Sequence, residues 1–107
     1  MLAMWAVLAW LAAAPAAPAQ EKQADEVARG QALFGLHCSA CHSTEADHKL
    51  APGLKGLFSK RRLQNGKKPA AGSIAAIIEQ GRNGMFPFRE MLRDAEKSHL
   101  LAYLKTL

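Results

Sequence analysis

The 107 residues carry 14 Lys and Arg against 9 Asp and Glu, a formal charge of +5, and half of them are hydrophobic. That apolar share excludes a disordered polyelectrolyte, and the length allows one small domain with a marginal core. The basic balance favours acidic partners or an anionic membrane surface, unless it is simply a solvated face; nucleic acid is disfavoured, because no aromatic stacking platform or recognised binding motif accompanies it.

Met1 to Ala14 is almost wholly apolar and leads into Pro15-Ala16-Ala17-Pro18-Ala19-Gln20. This pattern predicts a signal peptide over residues 1–19, with Ala17-Pro18-Ala19 as the cleavage signal and the cut before Gln20. No Lys or Arg precedes the apolar run, so the alternative is a segment retained as an anchor. The run is short of the roughly 20 residues a spanning helix needs, and prolines end it. The remaining domain, 20–107, carries all the charged side chains.

After a polar lead-in, Ala24 to Leu36 reads as the first helix, with Val27, Leu33 and Phe34 apolar and Asp25 and Glu26 near its start. It runs into Cys38-Ser39-Ala40-Cys41-His42. C-x-x-C-H is the attachment sequence of c-type haem: each thiol adds to one vinyl group, and the histidine takes an axial position on the iron. A thioredoxin-like site would want strands around it, and none is visible. A zinc site would need four ligands at finger-like spacing, for which only His37 and His48 offer themselves. A 38–41 disulfide would close too small a loop to stabilise much.

Ser43 to Gly72 loses periodicity and is rich in turn formers, so it reads as an exposed loop with one helical turn near Leu54 to Phe58. Its basic residues are Lys60, Arg61, Arg62, Lys67 and Lys68. Ser73 to Gln80 reads as a short helix, with Ser73 as N-cap and Gly81 ending it. A loop over Gly81 to Glu90 follows, and a last helix is predicted from Asp94, as N-cap, to the C-terminus. No segment alternates as a strand. The chain is all-α.

Four features in order resemble class I cytochromes c across the whole of residues 20–107. Gly30 and Phe34 match the small-plus-aromatic pair of that family's first helix, and Cys38 to His42 is its attachment motif. Gly84-Met85 before Pro87-Phe88 is similar to its methionine loop, and Leu100 with Tyr103 matches its last helix. The resemblance implies the cytochrome c fold, with about three or four helices wrapped around one covalent haem and the terminal helices crossing. It implies attachment through Cys38 and Cys41, with His42 and Met85 as iron ligands. A thioether is soft and neutral, and His/Met ligation raises the reduction potential. Met91 is the competing ligand; Gly84 and Pro87 favour Met85. Phe86 stands where the family commonly has proline. The resemblance also gives the carbonyl of Pro52 the other ring N–H of His42, a bond that fixes the tautomer; read as sequence alone, Pro52-Gly53 is a turn. His37, His48 and His99 are expected at the surface, with bis-histidine ligation as the alternative.

The implied function is a periplasmic, non-enzymatic carrier of single electrons between redox protein partners. The same haem domain also suits a dedicated subunit of a dehydrogenase or oxidase, and sequence does not separate the two. A haem enzyme or gas-binding protein with an open sixth site is disfavoured, since no set of distal acid–base groups is evident. Membrane contact is expected only through the N-terminal segment or a membrane-bound partner, and the protein outside any complex is expected to be a monomer.

Overall fold

The computed structural model describes residues 9–107, so the first eight residues of the expected signal peptide lie outside it. Helix α1 spans Pro18–His37, α2 spans Ala71–Gln80 and α3 spans Asp94–Leu104, with a 3₁₀ turn at Leu57–Ser59. No strand occurs among the described residues, only isolated bridges between His48 and Pro52 and between Arg82 and Met85.

Helix α1 starts six positions before the expected Ala24 and crosses the proposed cleavage site. Pro18 occupies its first position, where the missing N–H is no loss and the fixed φ suits the helix. The Gln20 side chain accepts a hydrogen bond from the Ala17 N–H at 3.2 Å. The Gln-Glu-Lys-Gln run that follows is made of good helix formers without an apolar stripe, which is why periodicity missed it.

The other two helix starts differ in the same way from the sequence expectation. Ser73 is the third residue of α2, not its N-cap: its hydroxyl accepts from the Ala70 N–H at 3.0 Å and donates to the Lys68 carbonyl at 2.7 Å. Asp94 is the first residue of α3, and Glu96 reaches back to the N–H of Arg93 at 3.0 Å. Each is the reaching-back half of a capping box, which places the polar residue inside the helix rather than before it. Helix α3 also stops at Leu104, short of the C-terminus, and the helical turn of the long loop is shorter than expected and sits at Leu57–Ser59.

The core comprises Phe34, Leu57, Leu63, Ile74, Ile78, Phe88, Leu92, Leu100 and Leu104. Helices α1 and α3 form its main contact, as the resemblance to a crossed terminal pair implies. At their crossing Gly30 is buried against the His99 carbonyl and the Cβ of Tyr103. Just beyond, the Phe34 and Tyr103 rings meet at 5.6 Å and 60°, a tilted aromatic pair. Helix α2 is tied to α3 by Lys97, whose ammonium lies 3.2 Å from Glu79 and 3.4 Å from Asp94.

Candidate functional site

The attachment motif is one tight turn at the end of α1. The N–H groups of Cys41 and His42 both donate to the Cys38 carbonyl, at 3.1 and 2.8 Å. The Ser39 hydroxyl donates back to the Gly35 carbonyl at 2.7 Å, which seats the turn on the helix end. Both sulfurs are free thiols, so the disulfide reading does not hold. Cys38 packs on the core and Cys41 is exposed. Burial, with the charge of Cys41 as a smaller contribution, pushes the Cys38 thiol up to about 11. A thioether has no proton to lose, so attachment removes that penalty altogether.

The loop after the motif folds back onto it. The Ala51 N–H donates to the Cys41 carbonyl at 3.0 Å, the Leu54 N–H to Ser43 at 2.8 Å, and the Lys49 ammonium to Ser39 at 2.8 Å. This return brings the Pro52 carbonyl to 2.7 Å from His42 Nδ1. A carbonyl only accepts, so Nδ1 carries the proton and Nε2 is left as the basic nitrogen able to bind a metal. Gly53 makes the approach possible: it is buried, and a Cβ there would run into the backbone of residues 45–47. The family resemblance had given the Pro52 carbonyl this role; the close packing at Gly53 had no signal in the sequence.

The second element of the site is the loop after α2. Asn83 and Gly84 take positive φ of 46° and 92°, and Arg82 and Met85 pair through backbone hydrogen bonds of 2.9 and 3.3 Å. The Phe88 N–H then returns to the Ile78 carbonyl at 2.9 Å and that of Arg89 to Glu79 at 3.2 Å, so the loop is clamped to the helix before it. Met85 is half-buried and packs on the core, whereas Met91 is 52% exposed.

The remaining histidines are dispersed. His37 is half-buried with its ring edge-on to Phe88 at 5.7 Å, His48 is exposed, and His99 is half-buried on α3. Among the described residues no three His, Cys, Asp or Glu side chains come together as a metal site, which leaves the zinc reading without ligands. The donor set does fit a covalent haem. It offers two free thiols in one turn and an imidazole with one nitrogen satisfied and the other unused. Leu54 and Met85, like Cys38 itself, lie half-buried against the apolar core.

Comparison with known proteins points the same way. Residues 25–104 match the family described as cytochrome c oxidase, cbb3-type, subunit III. A cytochrome c-553-like protein of Synechocystis sp. is 36% identical over 81 residues, covering 74% of this chain and 67% of its own length. A cytochrome c6-like protein of Nostoc sp. is 26% identical, covering 76% of this chain and 70% of its own. The cbb3-type cytochrome c oxidase subunit CcoP of Azospirillum sp. is 31% identical over 78% of this chain, which spans only 29% of that longer protein. With its cofactor a covalent haem c and its role electron transfer, the chain belongs to this cytochrome c family, as a small class I monohaem member.

Proposed function

We propose that the protein is an exported, periplasmic carrier of single electrons, in which His42 and Met85 are the axial ligands and Cys38 and Cys41 the points of attachment. When bound, haem c supplies a one-electron ferric/ferrous couple. Each thiol would hold the haem by adding across one vinyl group, sulfur to one carbon and hydrogen to the other, with no net oxidation. His42 is oriented by the Pro52 carbonyl at 2.7 Å, the observation that carries this reading, since it leaves Nε2 as donor with the ring held in place. Met85 is favoured over Met91 because it packs against the core while Met91 faces water. A filled sixth position leaves no site for substrate, so the role is transfer and not catalysis.

The long loop supports docking of an acidic redox partner. Leu63 is buried and anchors it, and the Leu63 N–H donates to the Lys67 carbonyl at 2.8 Å. Lys60, Arg61, Arg62, Lys67 and Lys68 are all exposed around that anchor. Such a patch accelerates encounter with an opposite charge.

Optical spectra of the oxidised and reduced protein test the ligation. Met85→Ala should abolish the weak near-infrared sulfur-to-iron band and lower the potential, and Met91→Ala should leave both nearly unchanged. The opposite pair of results would transfer the ligand to Met91. A second reading, a subunit of an oxidase, is favoured by the match to the cbb3-type family and to CcoP. Elution of the native protein together with a larger enzyme would select it.

A further inference from the structure

Two Asn-Gly pairs lie at exposed turns of this chain, Asn65-Gly66 in the basic loop and Asn83-Gly84 in the turn before Met85. The sequence makes them equal, and the fold does not. At Asn65 both groups that would react with each other are tied down. The Gly66 N–H donates to the Leu63 carbonyl at 2.9 Å, and Asn65 Oδ1 accepts from the Lys67 N–H at 3.0 Å. Leu63 is buried and its own N–H returns to the Lys67 carbonyl at 2.8 Å, so this turn closes on an anchor. Asn83 stands differently. Arg82 and Met85 are paired, but neither the Gly84 N–H nor the Asn83 side chain has a hydrogen-bond partner among the described residues. Asn83 is also the one non-glycine residue among them with positive φ, a conformation that a side chain disfavours.

We propose that Asn83 is a site of spontaneous modification, at which attack by the Gly84 nitrogen converts the residue to isoaspartate and aspartate. The two groups are held together by the chain itself, and glycine brings no side chain to shield the nitrogen. The Gly84 nitrogen bonds to Asn83 Cγ and loses its proton; the Cγ–Nδ2 bond breaks, and ammonia leaves with that proton. The product is a small cyclic imide. Water, the only co-reactant, then opens the ring, and no electron changes hands. Opening at Cγ gives aspartate in an ordinary backbone. Opening at the backbone carbonyl gives isoaspartate, whose chain runs through the former side chain and is one carbon longer. Ring closure requires Asn83 to leave its left-handed conformation, which the Arg82–Met85 hydrogen bonds of 2.9 and 3.3 Å alone resist. Either product sets a negative charge beside Arg82. The isoaspartyl form also lengthens a turn whose far side is clamped to α2 by Phe88 and Arg89, so the added length falls on Met85.

The inference goes beyond electron transfer and stands whether or not Met85 binds iron. The test incubates the holoprotein in mildly alkaline buffer made with heavy-oxygen water, then digests it in ordinary water. Peptide mapping follows both pairs, with fragmentation that separates isoaspartate from aspartate; the heavy oxygen marks conversion during incubation. A parallel sample is incubated in denaturant. In the folded protein Asn83 should convert about tenfold faster than Asn65, whose reacting groups must first give up two hydrogen bonds of their own. Isoaspartate should be the main product. In denaturant the two pairs should convert at similar rates, because the fold no longer distinguishes them. Equal rates in the folded protein, or an intact Asn83, would overturn the proposal. Aspartate alone at Asn83 would do the same, since that is direct hydrolysis without the Gly84 nitrogen. A preference for Asn83 that survives in denaturant would assign the difference to neighbouring sequence, and the structural argument would fall.

Discussion

Gly30 on α1 lies so close to the carbonyl of His99 on α3 that no side chain fits between the two helices. A Cβ there would also meet the Tyr103 Cβ at 2.7 Å, and both obstacles are parts of a helix that cannot simply swing aside. Gly30→Ala should therefore destabilise the holoprotein by about 1–3 kcal/mol, the usual cost of overpacking. Gly35 on the same helix has nothing within 4 Å of a Cβ. Gly35→Ala should stabilise by roughly 0.5–1 kcal/mol through helix propensity alone. Denaturant unfolding of the two variants measures the opposite signs directly.

Gly53 offers a handle on the His42 ring that no side-chain change at Pro52 can give, because the acceptor there is backbone. A Cβ at Gly53 would press on the Asp47 carbonyl at 2.5 Å and the Ala46 carbonyl carbon at 3.0 Å. Gly53→Ala should displace the 52–54 segment and lengthen the His42 to Pro52 bond. A weaker bond makes the imidazole a less basic ligand. The potential should rise, while Pro52→Ala, which retains the carbonyl, should change it far less. Redox titration of the two variants decides, and equal shifts would remove the bond from the account.

The start of α3 carries an acid-sensitive contribution. The Arg93 N–H bond, followed by that from the Arg93 side chain, holds the Glu96 carboxyl below its ordinary 4.5. A depressed carboxyl stabilises the fold fully above its unfolded value and loses that effect as pH falls through the folded one. Wild type should therefore exceed Glu96→Gln in stability above about pH 5, and the difference should vanish well below pH 4. Lys97 mirrors this at the other extreme. Its hydrogen bond to Glu79 raises it above 10.5, so its contribution is complete below that pH and lost as the pH climbs past the raised value. Melting temperatures across the two ranges check both signs.

Charge reversal at Arg61, Arg62 and Lys67 should slow electron transfer to the physiological partner at low ionic strength and matter little at high salt. All three are exposed, so their replacement should leave the melting temperature nearly unchanged. Stopped-flow rates across a salt series measure it. A rate that ignores the reversal at low salt would make the loop a solvated surface.

Short-range chemistry in this chain was legible from the residues themselves, whereas contacts between distant segments came through the family resemblance or not at all. The attachment turn is five consecutive residues, and α2 announces itself by Ile74, Ile77 and Ile78 followed by Gly81. Helix starts were misplaced because Gln20, Ser73 and Glu96 cap from inside, which composition does not distinguish from capping before the first turn. The loop over residues 43–54 gave no periodicity at all. Its order comes from Lys49, Ala51 and Leu54 bonding back to residues 39–43, pairings that appear only once the chain has turned.

Both points of covalent attachment fall within four residues at the end of α1, while Met85 sits on a loop clamped to α2. The colour of the protein is thus a pendant of one helix end, and everything after His42 acts as a removable clamp. A single proteolytic cut in the exposed 60–68 loop would divide the chain into a fragment that keeps the pigment through denaturation and a colourless one that only grips it.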